Sequence, residues 1–205
     1  MASDDIWLSP FRASYRYVRV SRATGLEVGA IESFTGGSIS RNQDTDTYES
    51  ASLDYVGRLD VGNDFVRIYL DAEDPLSGAS HTVCLGTFEC STGTATLYGR
   101  LHDLAKDDFD EPYAIQAGSN AVAAAREIAE GCGLEVIAEP SDYTLSAAWV
   151  FGIATTPDNP DSKLGAVNRL LAAAGFRGAT TDAYGRVLFR RYQEPAARPI
   201  DHTFS

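Results

Sequence analysis

Residues 34–58 read FTGGSISRNQDTDTYESASLDYVGR. The Gly36-Gly37 pair predicts a tight turn. Asp44 to Thr47 reads as a polar, turn-prone tip, and from Thr47 to Arg58 an alternation puts Ala51, Leu53 and Tyr55 on one side of a strand. Short β-segments punctuated by Gly and Asx turns continue to Leu101 without a catalytic signature.

Upstream, Tyr15–Val20 (YRYVRV) is rich in aromatic and β-branched residues and predicts a strand. The turn Arg22–Gly25 closes it, and Glu27–Phe34 returns as its partner. Downstream, Val61–Asp64 turns into FVRIYLDA, whose Val66, Ile68, Leu70 and Ala72 share a face. Glu73–Ser80, with Pro75 and Gly78, reads as a loop. His81–Ser91 and Thr94–Leu101 give two more strands across a short Thr92-Gly93 connection. About six antiparallel strands in ninety residues predict a small barrel or sandwich. The acidic segment Asp103–Glu111 then reads as a link.

The second half changes period. Ser119–Gly131 carries Val122, Ala125, Ile128 and Ala129 at helical spacing, with Ser119 or Asn120 as N-cap and Gly133 as the stop. Ser162–Ala174 repeats the design with Leu164, Val167, Leu170 and Leu171, closed by Gly175-Phe176. Leu134–Ala138 and Tyr143–Gly152, the latter holding Trp149 and Phe151, lie between the helices. Thr180–Tyr192 predicts a strand entered through the Asp182–Gly185 turn, with Val187 and Phe189 on one face and Arg186 and Arg190 on the other. The fold expectation is α+β: an N-terminal antiparallel β-barrel-like tube domain over 1–115, then a smaller two-helix α/β domain over 116–205. The tail EPAARPIDHTFS reads as a strand completing the first domain or as a docking strand.

The 205 residues carry a net charge of −12, of which residues 1–110 hold −9. Such a surface repels phosphate backbones, so no sequence-specific nucleic-acid partner is expected. Apolar content of 44% and charged content of 22% describe a globular protein. No apolar run approaches the ~18 residues of a membrane span, so no membrane insertion is expected. The beginning, MASDDIWLSPF, lacks the basic and apolar regions of a signal peptide. Three cysteines without CxxC spacing point away from a disulfide framework and toward synthesis in a reducing compartment.

His81, Cys84, Cys90 and His102 are the metal-ligand types that cluster in sequence, but C-x5-C inside a strand does not give two converging pairs. Instead Cys84 and Cys90 are expected to share a buried face with Phe88. Asp107, Asp108, Asp110 and Glu111 lack a calcium-loop pattern and read as a solvated link. Asp44, Asp46 and Glu49 have the residue types of glycosidase carboxylates, yet read as a mobile polar tip. Nucleophile-elbow, zincin, P-loop and dinucleotide motifs are absent from the sequence. Arg177, Arg186, Arg190 and Arg191 could meet an acidic partner, though a solvated strand face explains Arg186 and Arg190. The sequence therefore offers no catalytic, cofactor-binding or metal residues.

One resemblance runs along nearly the whole chain. RVSRATG, IESFTGGSISRNQDTDTYESASLDYVG, NDFVRIYLDAED, LGTFECST and TLYGRLHDL come first. AGSNAVAAAREIAEGCGLEV, SKLGAVNRLLAAAGF and TDAYGRVLFRRY follow in order. This succession resembles the tail-tip or baseplate hub proteins of tailed bacteriophages, the minor tail proteins. The resemblance implies a non-catalytic virion component at the distal tail tip, synthesised in the host cytoplasm. It implies a homotrimeric ring that joins the tail tube to distal tail proteins around the channel used by the tape-measure protein and the DNA. Tyr15, Tyr17, Tyr48 and Tyr69 are possible contacts in such a ring. The rival expectations are a carbohydrate- or receptor-binding module of the tail and a tail-associated cell-wall hydrolase.

Overall fold

The computed structural model describes residues 10–42, 48–57, 61–90, 96–152 and 162–194. The expected Asp44–Thr47 tip, the Thr92-Gly93 connection and the tail from residue 195 fall outside them. The chain divides into two compact units, one of residues 1–105 with 181–187, the other of residues 106–180 with 188–205.

The first unit is built on β1 (Arg12–Val20), β2 (Glu27–Ala30), β3 (Phe34–Arg41), β4 (Glu49–Tyr55), β5 (Phe65–Glu73), β6 (Ser80–Cys90) and β7 (Thr96–Gly99). These strands form one sheet in the order β2-β1-β5-β6-β7-β4-β3, paired antiparallel throughout. A five-residue helix, α1 (Leu101–Ala105), follows β7 where an acidic link was expected, and it buries Leu101 and Leu104. Inward residues of β1, β3, β4, β5, β6 and β7 make one core around Val66, Ile68, Phe88 and Leu97. Burying each such large side chain contributes about 1.5–3 kcal/mol.

The expected barrel does not close. The sheet ends in β2 and β3, which are not paired with each other among the described residues. Closure requires the terminal strands to tilt, stagger and pair along their length. Here β2 is four residues long, exposed throughout, and covers only the Val18–Val20 end of β1. The sheet nevertheless curls: the rings of Tyr17 on β1 and Phe34 on β3 lie 5.3 Å apart, although β5, β6, β7 and β4 separate those strands in the pairing order.

Two local expectations are corrected by bulges. Gly36-Gly37 is no turn but lies inside β3, just past a register shift between Phe34 and Gly36. Gly37 has φ +146°, and a Cβ there would lie 2.8 Å from Leu53 Cα. In β6 the register against β5 shifts between Cys84 and Gly86, leaving Leu85 as the extra residue. An inserted residue exchanges the two faces beyond it. Leu85 and Cys90 therefore join Phe88 at the core, whereas Cys84 Sγ donates to the carbonyl of Ala183 at 3.3 Å. In β4, Ala51 and Leu53 are buried as expected, but Tyr55 is exposed.

The second unit centres on α2 (Ala121–Gly131) packed against α3 (Lys163–Ala173). Asn120 caps α2 by accepting from the Ala123 N–H, and Ser162 caps α3 by accepting from Gly165 N–H. Both helices end at a glycine in the left-handed region, Gly133 and Gly175, after which Leu134 and Phe176 turn back and are buried. Strands β8 (Tyr113–Ile115) and β10 (Trp149–Phe151) pair antiparallel. Strands β9 (Val136–Ala138), β11 (Thr180–Thr181) and β12 (Val187–Phe189) form a sheet in the order β11-β12-β9, of which Thr181 and Val187 are counted with the first unit. Val187 and Phe189 are fully buried, as the alternation predicts. No helix among the described residues is long and apolar enough to cross a membrane.

Candidate functional site

The open seam of the first unit is its most distinctive surface. An apolar slot of ≈ 410 Å³ lies there, with Tyr15 and Tyr17 from β1 on one side and Gly36–Ile39 from β3 on the other. Leu53, Ile68 and Leu85, from the strands between, complete the lining. Backbone direction explains why the seam stays reactive. Tyr17 gives its carbonyl to Ile31 N–H, so the period-2 alternation turns the N–H and C=O of Tyr15 and Ala13 to the same edge. On β3, Asn42 N–H donates to Tyr48 C=O, so Ser40 and Ser38 face β4. Gly37, Ile39 and Arg41 then present their backbone groups outward. Among the described residues these groups have no strand partner, and edges of this kind recruit further polypeptide.

One rim of the slot is fixed by a buried carboxylate. Glu49 is 3% exposed; its Oε2 accepts from Arg41 Nε at 3.1 Å and its Oε1 from Thr181 Oγ1 at 2.8 Å. Arg41 also donates to the carbonyl of Leu85, which itself lines the slot. Burial pushes the Glu49 carboxyl up from the ordinary range, while Thr181 and Arg41 oppose the rise. Glu49 thus belongs to a packed knot and not to a mobile tip; Asp44 and Asp46 lie outside the described residues.

The opposite face of the sheet is polar and paired. Tyr69 Oη donates to Glu27 at 2.5 Å, Arg67 stands 3.3 Å from the same carboxylate, and Arg16 and Thr82 both reach Asp71. The Tyr69 bond, followed by Arg67, holds Glu27 below its usual range, and Thr82 and Arg16 do the same for Asp71. These are satisfied pairs on a solvated face, each contributing at most about 1 kcal/mol.

The remaining sequence candidates scatter. Burial raises the pKa of both Cys84 and Cys90, opposite to what activates a thiol nucleophile. His102 stacks on Tyr98 at 4.3 Å. Asp107 takes Lys163 Nζ at 2.7 Å and the Cys132 thiol at 3.4 Å, and Lys163 chiefly holds its carboxyl below the ordinary range. Asp108 makes an isolated bridge to Ser162. Arg186 closes on Asp182 at 2.7 Å, and Arg191 donates to the Pro140 carbonyl at 2.6 Å. Among the described residues no three His, Cys, Asp or Glu converge on a metal-sized point. Tyr15, Tyr17 and Tyr69 were visible in the sequence, whereas Gly37, Ile39 and Leu85 carried no signal of a shared surface.

No family model matches the sequence, and no curated protein matches it. Among solved structures the chain is similar to the 43 kDa tail protein of prophage MuSo2 from Shewanella oneidensis, with 12% sequence identity and a TM-score of 0.48. The match covers 89% of this chain and 54% of that one, so the chain spans about half the length of that protein.

Proposed function

We propose that this chain is a structural subunit of a phage tail or related injection machine, forming a ring at the distal tip between the tail tube and the tip proteins. The observation that carries the reading is the open seam: a seven-stranded antiparallel sheet whose two terminal strands, β2 and β3, each have one strand neighbour and no second one among the described residues. A subunit that works by assembly needs such edges, and a self-contained module usually covers them. Three further points support it. The segment order resembles hub proteins over nearly the whole chain. The acidity, −12 per copy, suits a wall that DNA must pass without sticking. Several polar groups of the described residues, among them Glu49, Glu27 and Asp71, are engaged in internal pairing, which fits a structural part.

The ring is proposed as a homotrimer, with the tail tube, distal tail proteins and tape-measure protein as neighbours. Native mass by light scattering, alone and with a candidate tail-tube protein, is the test. A trimer, or a ring formed only with the neighbour, supports the reading. A monomer indifferent to tail proteins at every concentration overturns it.

A second reading draws on Tyr15, which is 57% exposed beside the slot. Aromatic rings along an apolar cleft suit stacking on sugars, so a carbohydrate-binding role in the tail is the alternative. Titration with cell-wall glycans, read by tyrosine fluorescence, separates it from the first.

A further inference from the structure

We infer that the β5–β6 loop of one copy seats its Leu76 in the β1/β3 slot of a second copy, making a head-to-tail contact. The inference deepens the proposed self-assembly by naming its two surfaces.

The donor is a presented knob. Leu76 is 92% exposed at the tip of the Asp74–Ala79 loop, the most exposed large apolar side chain among the described residues. The loop is held rigid from within: Asp74 Oδ1 accepts from Leu76 N–H at 2.8 Å, and Asp74 Oδ2 accepts from Ser77 Oγ at 2.6 Å. Two backbone bonds close its base, Asp74 N–H to Ala79 C=O and Gly78 N–H to Asp74 C=O, both 2.9 Å. Ordering costs on binding are correspondingly small.

The acceptor is the apolar slot of ≈ 410 Å³, at the lower end of the ~300–1,000 Å³ range of ligand pockets. A copy cannot fill its own slot with its own knob. Ile68 and Leu85 line the slot, and the loop leaves the same hairpin beyond Glu73, five residues further along β5. At ~3.3 Å per residue that is roughly 17 Å along a paired strand that cannot fold back. The knob can therefore enter only the slot of another copy.

Charge sets the orientation. The loop root carries Glu73 and Asp74, the latter kept below the ordinary carboxylate range by Ser77 and by the Leu76 N–H. The slot has Arg41, 42% exposed at its side chain, at one rim, and Asp54 beside Gly36 at the other. An acidic root is drawn toward Arg41 and repelled by Asp54, which selects one of the two directions. Knob and slot are different patches, so the contact is heterologous and closes into a ring or runs on as a chain. One six-residue loop in one slot buries less than the ~1,200 Å² of a stable pair. A single junction is weak, and assembly rises with concentration.

The test uses the full chain in sedimentation velocity over a concentration series, with Leu76→Glu removing the knob and Ser38→Arg blocking the slot. Ser38 is exposed on β3, and circular dichroism checks the fold of each variant; Thr35→Arg replaces Ser38→Arg if the latter unfolds. Wild type is expected to associate with concentration, and each variant alone to remain monomeric. An equimolar mixture of the two variants is expected to give a 1:1 dimer and nothing larger, because one intact knob meets one intact slot. A wild type that stays monomeric, a Leu76→Glu variant that still associates, or a mixture that gives no dimer overturns the inference. A monomer that still joins a tail-tube protein overturns this contact and leaves the proposed function standing. Association through knob and slot that stops at a size other than a trimer and ignores a tail-tube protein leaves this contact standing and overturns the proposed function.

Discussion

Thr181 Oγ1 donates to Glu49 Oε1 across 132 residues of chain, at 2.8 Å, with both side chains buried. The bond ties the Thr181–Val187 turn to β4 within the first unit. The Glu49 carboxyl is raised first by burial and further by nearby Asp182. The native state then holds this proton more tightly than the unfolded chain. Its contribution to stability is full below the ordinary carboxylate range and is lost as pH rises through the raised native value. Glu49→Gln removes the titration. The stability of wild type relative to Glu49→Gln is therefore expected to fall as pH rises from ~4 to ~8, through and above the reference carboxylate values. Urea midpoints of both proteins across that range check it. A relative stability that rises with pH would mean that Arg41 outweighs burial.

The hydroxyl of Thr181 is testable separately. Thr181→Val keeps the shape and removes the donor, leaving Glu49 Oε1 without it in a buried place. A buried acceptor that loses its partner costs about 1–3 kcal/mol. The urea midpoint is expected to fall accordingly with the m-value unchanged. A loss below ~0.5 kcal/mol, the range of ordinary surface substitutions, would show that the bond is dispensable.

In the second unit, Asn120 works with both ends of its amide. Its Oδ1 accepts from Ala123 N–H at 2.9 Å and its Nδ2 donates to the Ser141 carbonyl. Asn120→Ala is expected to cost about 1 kcal/mol, within the 0.5–2 range of N-caps. Asn120→Asp keeps the cap and loses the donation to Ser141, so an intermediate cost is expected. Faster amide exchange in the first turn of α2, greater for Ala than for Asp, is the readout. Equal effects of the two would assign the cost to Ser141 alone.

Local signals were legible wherever the chemistry is local. The caps Asn120 and Ser162, the glycine stops at Gly133 and Gly175, and the alternation of Val187 and Phe189 are each decided within a few residues. The bulges were not legible, because an extra residue at Leu85 is visible only once Cys84 pairs with Tyr69. The turn prediction at Gly36-Gly37 failed for a related reason: a glycine pair serves a turn and a close backbone approach equally well. The seam was hidden most deeply. It brings Tyr15 beside Ile39, and that depends on the curl of the whole sheet. Glu49 misled because acids near polar tips are usually solvated, and its partner Thr181 stands in the other half of the sequence.

Gly37 offers a direct test of the seam's backbone. At φ +146° it occupies a conformation that side chains disfavour, and a Cβ would run into the Ser52 carbonyl and lie 2.8 Å from Leu53 Cα. Backbone next to a paired strand cannot give way as a flexible side chain would. Gly37→Ala is therefore expected to destabilise by about 1–3 kcal/mol, the usual cost of a strained backbone position. Gly29 on β2 is the control, because a Cβ there meets nothing within 4 Å and its φ is not positive. Gly29→Ala is expected to be neutral or to stabilise by up to about 1 kcal/mol, since alanine narrows the unfolded ensemble. Thermal melts of both variants distinguish strain at β3 from a general intolerance of side chains at the sheet edges. If both lose equally, the edges themselves are sensitive and the bulge is not the cause.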